Sequence, residues 1–309
     1  MTSQTTLPSP SLPHGVTRLT HWGVIRIQGE DAAKFIHGQL TQDFALLGTD
    51  QARLAAFCSA KGRMQASFIG FKQGNGDVLL VCSRDLLPGT LKRLSMFVLR
   101  AKAKLTDASD DLALWGLVGS ATKNVAAGEH SVWAKHEFDS ETIVNLYPAG
   151  DVPRQLLISD AQHPQPQGTP MELAVWQWGE VLSGVATVSM PVFEAFVPQM
   201  LNYESVGGVS FKKGCYPGQE VVARSQFRGT LKRRAFIAIS DAQLTPGEEV
   251  LTGGDPDQPA GQVVQAAPSP EGGWAAIVSL QLSAKDTPLS TGGAALQLLP
   301  LPYPLLEDI

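Results

Sequence analysis

The sequence predicts an α+β fold that ends in a small β-barrel. In residues 24–28, two isoleucines alternate with arginine and glutamine, which is the period of a half-buried strand. Strand patterns of this kind alternate with helical spacing in the N-terminal half. After Arg234, short strand patterns follow one another between Gly, Pro and Asp turns. The first pattern indicates a sheet with helices on one face, and the second a small barrel.

The N-terminal elements can be placed in order. Gly29 ends the first strand, and a helix is expected from Asp31, with Phe35, Ile36 and Leu40 on one face. Further strands are expected at residues 54–58, 65–72, 78–82, 102–105 and 112–118. Residues 74–77, Gly-Asn-Gly-Asp, suit a hairpin turn because they tolerate positive φ. Leucines at helical spacing after Pro88-Gly89 predict a second helix.

A proline-rich stretch separates this half from the rest. Residues 162–170 hold three prolines in nine positions and are predicted to be a linker. Residues 171–181 favour a helix, and residues 235–239, 249–251, 261–266, 274–280 and 295–299 favour strands. We therefore expect boundaries near residues 165 and 234.

Composition narrows the class of protein. The 309 residues are 43% hydrophobic and 17% charged, which excludes a disordered chain. A net charge of -5 argues against a protein that coats nucleic acid over its whole surface. The chain has three cysteines and no CxxC pair, so the sequence predicts no zinc or iron–sulfur site. An odd and sparse set of thiols is typical of a protein in a reducing compartment. No apolar run approaches the ~18 residues of a membrane span, and residues 1–15 lack an apolar core, so a cytoplasmic protein without membrane contact is expected.

Residues 212–234 differ from the rest of the chain in charge. They hold seven of the 24 basic residues and one acid, Glu220, so their local charge is 7 − 1 = +6. The basic residues are Lys212, Lys213, Arg224, Arg228, Lys232, Arg233 and Arg234. A solvated face is one interpretation. Mutual repulsion favours an anionic partner such as phosphate, polyglutamate or RNA.

Cys215 lies within this segment, between Gly214 and Gly218. Pro217 is favoured at the first position of a helix, so Cys215 is expected just before a helix N-terminus. The helix dipole and the nearby lysines would stabilise a thiolate there. A small buried hydrophobe beside a tight turn is the alternative. Cys58 and Cys82 lie in apolar strands and are expected in the core.

The same segment carries a family resemblance. Residues 213–220 read Lys-Gly-Cys-Tyr-Pro-Gly-Gln-Glu, and they match every fixed position of the Lys-Gly-Cys-Tyr-x-Gly-Gln-Glu signature of the YgfZ family. Residues 38–43, 58–63 and 300–303 also resemble that family. The similarity covers residues 20 to 305, with 106–165 the least distinctive part.

This resemblance implies a three-domain fold like that of the folate-dependent aminomethyltransferase of glycine cleavage. Two α+β, ferredoxin-like units and a C-terminal β-barrel would surround a central folate pocket. The implied domains are residues 1–48 with 165–234, which carry the signature, then residues 49–164, and the barrel at residues 235–309.

The resemblance also implies a site. Cys215 and Lys213 would be the reactive pair, and Trp22 and Trp176 would hold a tetrahydrofolate, since a pterin gains from contact with an indole face. The supporting residues would be Gly214, Tyr216, Gly218, Gln219, Glu220, Arg224 and Arg228. No resident metal is implied. The family acts in maintenance of iron–sulfur enzymes, including one that thiomethylates tRNA.

One stretch departs from the aminomethyltransferases. They carry Gly-x-x-Thr-Ser-Gly in the barrel, whereas residues 261–266 read Gly-Gln-Val-Val-Gln-Ala. Glycine cleavage is therefore disfavoured, and three hypotheses stay open. The first is a folate-binding accessory factor for iron–sulfur proteins. The second is a folate-dependent one-carbon transferase, and the third is a protein that binds tRNA directly through residues 212–234.

Overall fold

The computed structural model describes residues 13–123, 131–138, 140–227, 231–253 and 259–306. The strands are β1 (Gly15–Arg18), β2 (Trp22–Gln28), β3 (Ala52–Cys58), β4 (Met64–Lys72), β5 (Val78–Ser83), β6 (Lys104–Asp107), β7 (Leu112–Val118), β8 (Lys135–Phe138), β9 (Glu141–Ala149), β10 (Val152–Asp160), β11 (Arg233–Ser240), β12 (Glu249–Thr252), β13 (Gly261–Pro268), β14 (Trp274–Gln281), β15 (Leu289–Thr291) and β16 (Ala294–Leu299). The helices are α1 (Ala32–His37), α2 (Leu87–Ser95), α3 (Leu173–Leu182) and α4 (Gln219–Phe227).

The first sheet is antiparallel throughout and has the order β3-β4-β5-β2-β6. The isoleucines of β2 pack in one buried cluster with Phe35 and Ile36 of α1 and with Leu87 and Leu94 of α2. Alternation along β2 thus places its apolar residues under the helices, which confirms the predicted sheet with helices on one face.

The second sheet has the order β1-β7-β10-β9-β8 and is also antiparallel. Of its strands, the sequence predicted only β7. The middle of β9 and of β10 is buried on both faces, so neither shows the alternation that marks a half-buried strand. Pro148 and Pro153 also interrupt the two patterns.

The C-terminal strands close into a barrel in the order β11-β14-β13-β12-β15-β16. Its interior is packed with small and branched side chains such as Ala238, Val250, Val263 and Val278. The predicted barrel is confirmed, and β15 is an added strand. The barrel begins at Arg233.

Helix α3 joins the second sheet to the barrel, since it packs on β1 and β9 and on β13 and β14. A single apolar cluster includes Leu54 of the first sheet, Leu156 of the second and Ile277 of the barrel. The strands at 15–18 and 22–28 lie in different sheets, whereas the sequence grouped them in one domain. The domain boundaries themselves stay predictions. Among the described helices, none has the length and apolar character that crossing a bilayer requires.

Candidate functional site

We call the signature residues 213–220 the cysteine segment. The loop before this segment is hydrogen-bonded to the residues that follow α1. The Thr41 hydroxyl donates to the Gly208 carbonyl at 2.6 Å, and the Gln42 amide donates to that of Gly207 at 2.7 Å. The Ser210 N–H donates to the Thr41 carbonyl. Residues 38–43 therefore position the backbone that leads to the cysteine.

Lys213 completes this attachment. Its ammonium donates to the His37 carbonyl and to the Leu40 carbonyl, the second at 2.7 Å. It also lies 4.6 Å from the ring centre of Tyr216. The His37 carbonyl is the last of α1, where a cation is favourable, and the Leu40 carbonyl lies three residues beyond the helix. Burial lowers the pKa of Lys213 to about 8, although Asp43 and Cys215 oppose the shift.

Cys215 is exposed, while Cys58 and Cys82 are buried as expected. Burial raises the pKa of the Cys58 thiol to about 12 and that of Cys82 further. Deprotonated thiols are the reactive form, so these two are inert at neutral pH. Cys215 is thus the accessible thiol, and the buried-hydrophobe interpretation of this residue is wrong.

An imidazole lies against the backbone next to Cys215. His37 Nε2 is 3.8 Å from the position that a Gly214 Cβ would occupy, and His37 Nδ1 is 3.0 Å from Asp43 Oδ1. The Ala45 N–H donates to the same Nδ1 at 3.4 Å, so Asp43 and Ala45 both fix the orientation of the ring. The spacing of the histidines along the sequence has no ligand pattern and predicts no role for them. The contact is visible only once the loop is placed on α1.

Gly218 fixes the shape of the cysteine segment. Its φ is +81°, and an added Cβ would contact the Ser59 carbonyl and lie 2.8 Å from the backbone of Gly62. Gly62 has φ of +70° and faces Val221. The turn at residues 59–62 and the cysteine segment are far apart in the sequence, and each resembles the YgfZ family. In the fold their backbones pack directly against each other.

The start of α4 differs from the prediction. The helix begins at Gln219, and Pro217 lies outside it. Gly218 is in the left-handed region, so it separates Pro217 from the helical backbone. Cys215 is consequently four residues before the helix, beyond the first turn over which the dipole of α4 acts, while the Lys213 ammonium interacts with it electrostatically.

The remaining signature residues lie just before α4 or in its first turn. Tyr216 is buried, which raises the pKa of its hydroxyl. The Gln199 amide donates to the Val222 carbonyl at 2.7 Å in the interior. Glu220 pairs with Arg224 at 2.6 Å on the exposed face, and Gln219 is partly buried. Arg228 lies outside the described residues.

Several cations of residues 212–234 have internal partners. Lys213 binds the α1 carbonyls, and Arg224 pairs with Glu220. Arg234 is buried and pairs with Glu204 and with the Leu306 carbonyl. Three of the six described cations are therefore engaged within the molecule, while Lys212, Lys232 and Arg233 have no ion pair among the described residues.

A separate cavity lies between the first two sheets and α3. Its walls include Trp22, Trp133, Tyr147, Arg154 and Glu180, and its volume is about 40 Å³. Among the described residues, none of the cysteine segment lines it. The predicted folate residue Trp22 and the predicted reactive residue Cys215 thus belong to different places.

The cavity contains hydrogen-bond donors without acceptors. Arg154 is 3% exposed, and within the described part of the chain its Nε and Nη2 have no partner. Trp22 Nε1 likewise has none there. Burial lowers the pKa of Arg154 to about 10, against the opposing effect of Glu180, so the group is charged at neutral pH. Buried donors of this kind are costly unless a ligand supplies acceptors.

Trp176 lies behind the cavity. It is fully buried, and its Nε1 donates to Glu180 at 3.0 Å. The Arg154 guanidinium lies 4.2 Å from its ring centre, and Gly116 approaches the same indole so closely that a Cβ would not fit. Its ring meets Trp22 edge to face at 6.2 Å. In this arrangement Trp176 supports Trp22 and Arg154, and its direct contact with a folate stays a prediction.

Among the described residues, no group of three or more His, Cys, Asp or Glu is arranged to hold a metal ion. Arg154, like His37, was missed from the sequence. It lies in the least distinctive stretch, and a single arginine in an apolar strand carries no signal of its own.

The buried ammonium of Lys213 predicts a pH dependence of stability. Its pKa is about 8 in the folded protein and 10.5 ordinarily, so between these values the unfolded chain binds the extra proton. The free energy of unfolding should therefore rise with pH across this window through Lys213. Urea unfolding of Lys213→Met should show a smaller rise than wild type. Lys212→Met changes an exposed neighbour and should keep the wild-type slope, and equal slopes in all three proteins would contradict the burial of this charge.

Known proteins resemble this chain in sequence or in fold. The tRNA-modifying protein YgfZ of Yersinia enterocolitica is 30% identical over 99% of this chain and 97% of its own. The protein of the same name from Sodalis glossinidius is 31% identical over 97% and 96%. Among solved structures, the glycine cleavage system aminomethyltransferase T of Bartonella henselae superposes with a TM-score of 0.65 at 15% identity, covering 97% of this chain and 88% of its own.

The structural likeness confirms the aminomethyltransferase-like fold that the sequence resemblance implied. No family model matches the chain. The sequence similarity extends over nearly the whole of both proteins at about one identical residue in three. The chain therefore belongs to the YgfZ family.

Proposed function

We propose that this protein is a folate-binding factor in tRNA modification that acts in the cytoplasm. Its relatives are named tRNA-modifying proteins, and its fold resembles a glycine cleavage aminomethyltransferase. The observation that carries the folate proposal is the cavity with its unpartnered Arg154 and Trp22 donors. We propose specifically that these donors bind tetrahydrofolate.

The side chains that line the cavity match the chemistry of a pterin, and its entry would require the walls to separate, since the cavity volume is about 40 Å³. A pterin is planar and carries a carbonyl oxygen and ring nitrogens that accept hydrogen bonds, which the buried Arg154 and Trp22 would donate. Tyr147, Trp133 and Trp22 supply the apolar and aromatic walls that such a ring requires. When bound, a reduced folate supplies or accepts one-carbon groups.

The folate proposal predicts a specific loss of affinity. Arg154→Met keeps most of the volume of the side chain but removes its donors, so tetrahydrofolate affinity should fall about tenfold or more, since bonds to charged groups contribute roughly 1.5–3 kcal/mol. Isothermal titration calorimetry measures this without relying on the tryptophans as reporters. The matched control is Arg18→Met, which removes a guanidinium lying 5.4 Å from the Trp115 ring in the same sheet and should leave affinity unchanged. Equal affinity in all three proteins would mean that the folate binds elsewhere or not at all.

We further propose that Cys215 is the working thiol, in the assembly or repair of iron–sulfur enzymes that modify tRNA. The support is its exposure, with the Lys213 ammonium and the His37–Asp43 pair beside its backbone. Lys213 would stabilise the thiolate. The client enzymes are the partners in this proposal.

Two alternatives have less support. A one-carbon transferase predicts turnover of methylene-tetrahydrofolate by the purified protein. Its reacting thiol would have to meet the folate, yet the cysteine segment does not line the cavity in the described part of the chain. Direct tRNA binding through residues 212–234 is weakened because Lys213, Arg224 and Arg234 are engaged internally.

A further inference from the structure

A second concentration of positive charge follows α2. Residues 92–104 hold five basic residues and no acidic one, on a chain of net charge -5. Lys102 pairs with Glu30 at 2.8 Å. Lys92, Arg93, Arg100 and Lys104 are exposed, and the structure records no ion pair for them within the described ranges. These four cations without an ion pair outnumber the three, Lys212, Lys232 and Arg233, in the described part of residues 212–234.

Large apolar side chains lie among these cations. Leu99 is 89% exposed, Met96 64% and Phe97 40%. Leu99 also has φ of +37°, a left-handed conformation that costs a bulky residue free energy. The molecule thus carries backbone strain and apolar exposure at the same place. Both are expected where a partner covers the surface.

Together these residues define the α2 surface: Lys92, Arg93, Met96, Phe97, Leu99, Arg100 and Lys104. An aromatic ring set among cations is the arrangement that binds unpaired nucleotides, because bases stack on the ring while phosphates meet the cations. The absence of acidic residues between positions 92 and 104 favours a polyanion over a mixed-charge protein surface.

We propose that the α2 surface binds the single-stranded or looped part of an RNA. The inference rests on the proposed role in tRNA modification, and it assigns RNA contact to a surface other than residues 212–234. The surface is separate from the cavity and from the cysteine segment, since none of its residues lines the one or belongs to the other.

The test measures binding of a fluorescein-labelled tRNA transcript by fluorescence anisotropy over a range of salt concentrations. Phe97→Ala should weaken binding about tenfold through lost stacking. The double variant Arg93→Gln with Arg100→Gln should also weaken binding. The slope of log K against log salt should become shallower by the amount expected for about two lost phosphate contacts. The two variants change different exposed residues, so either decides the question if the other fails to fold. The matched control, Lys212→Gln with Lys232→Gln and Arg233→Gln, should bind like wild type.

Four results would overturn the inference. Two concern the variants: unchanged binding by both α2 variants, and loss of binding by the control. The other two concern the wild type: tighter binding to phosphatidylglycerol vesicles than to the transcript, and absence of RNA binding. Calorimetric tetrahydrofolate binding should be normal in every variant. A variant that loses RNA binding but keeps folate binding therefore reports on the α2 surface. A variant that loses folate binding but keeps RNA binding reports on the proposed folate site.

Discussion

Replacing Gly218 by alanine is expected to lower the free energy of unfolding by about 2–5 kcal/mol, the sum of left-handed strain and overpacking. The residue has φ of +81°, which an L side chain adopts at a cost. Its new Cβ would also meet backbone atoms of Ser59 and Gly62 rather than a flexible side chain, so relief requires movement of the main chain. The turn at residues 59–62 and the cysteine segment would be forced apart.

The matched control is Gly214→Ala in the same segment. A Cβ there meets only His37 Nε2, at an ordinary contact distance of 3.8 Å, and its φ is not in the left-handed region. Urea unfolding should therefore place Gly214→Ala within about 1 kcal/mol of wild type, since a compatible Gly→Ala change is stabilising by a few tenths. Similar midpoints for the two variants would show that the packing of Gly218 on residues 59–62 does not determine stability.

Replacing Cys215 by alanine is expected to abolish function in the cell while leaving folate binding intact. Cys215 is exposed, so its loss removes little packing, and it does not line the cavity among the described residues. The measurement is complementation of a bacterial strain that lacks its own YgfZ. Thiomethylated tRNA nucleosides, quantified by mass spectrometry, should stay at the level of the deletion strain. Calorimetric tetrahydrofolate affinity of the purified variant should equal that of wild type.

Cys58→Ala is the matched control for this experiment. It removes a thiol that is 1% exposed and whose pKa is raised to about 12, so it should lose some stability but restore thiomethylation. Full rescue by Cys215→Ala would remove the working-thiol proposal. Failure of both cysteine variants with normal folding would mean that more than one thiol is required.

The sequence predicted those strands that are buried on one face only. The isoleucines of β2 and the short barrel strands carry a clear period, and their predicted positions agree with the structure within about two residues. Strands β9 and β10 are buried on both faces, so no period marks them. The start of α4 was misplaced because Pro217 is a good first helical residue, whereas the φ of Gly218 is set by its packing on Gly62.

The candidate site divides in the same way. A contiguous signature identified Cys215 and Lys213, and the structure adds that Lys213 is held by carbonyls of α1. His37 and Arg154 depend on contacts between distant parts of the chain, so no local pattern could reveal them. The charge of residues 212–234 was counted correctly, but its partners Glu204 and the α1 carbonyls are tertiary.

The central claim is that the cavity beside Trp22 binds tetrahydrofolate. A crystal structure of the protein grown with tetrahydrofolate tests it most directly. The account predicts density for the pterin in the cavity, with its acceptor atoms within hydrogen-bond distance of Arg154 Nε or Nη2. Pterin density at another place, or a cavity whose walls are unchanged in the presence of saturating ligand, would contradict it.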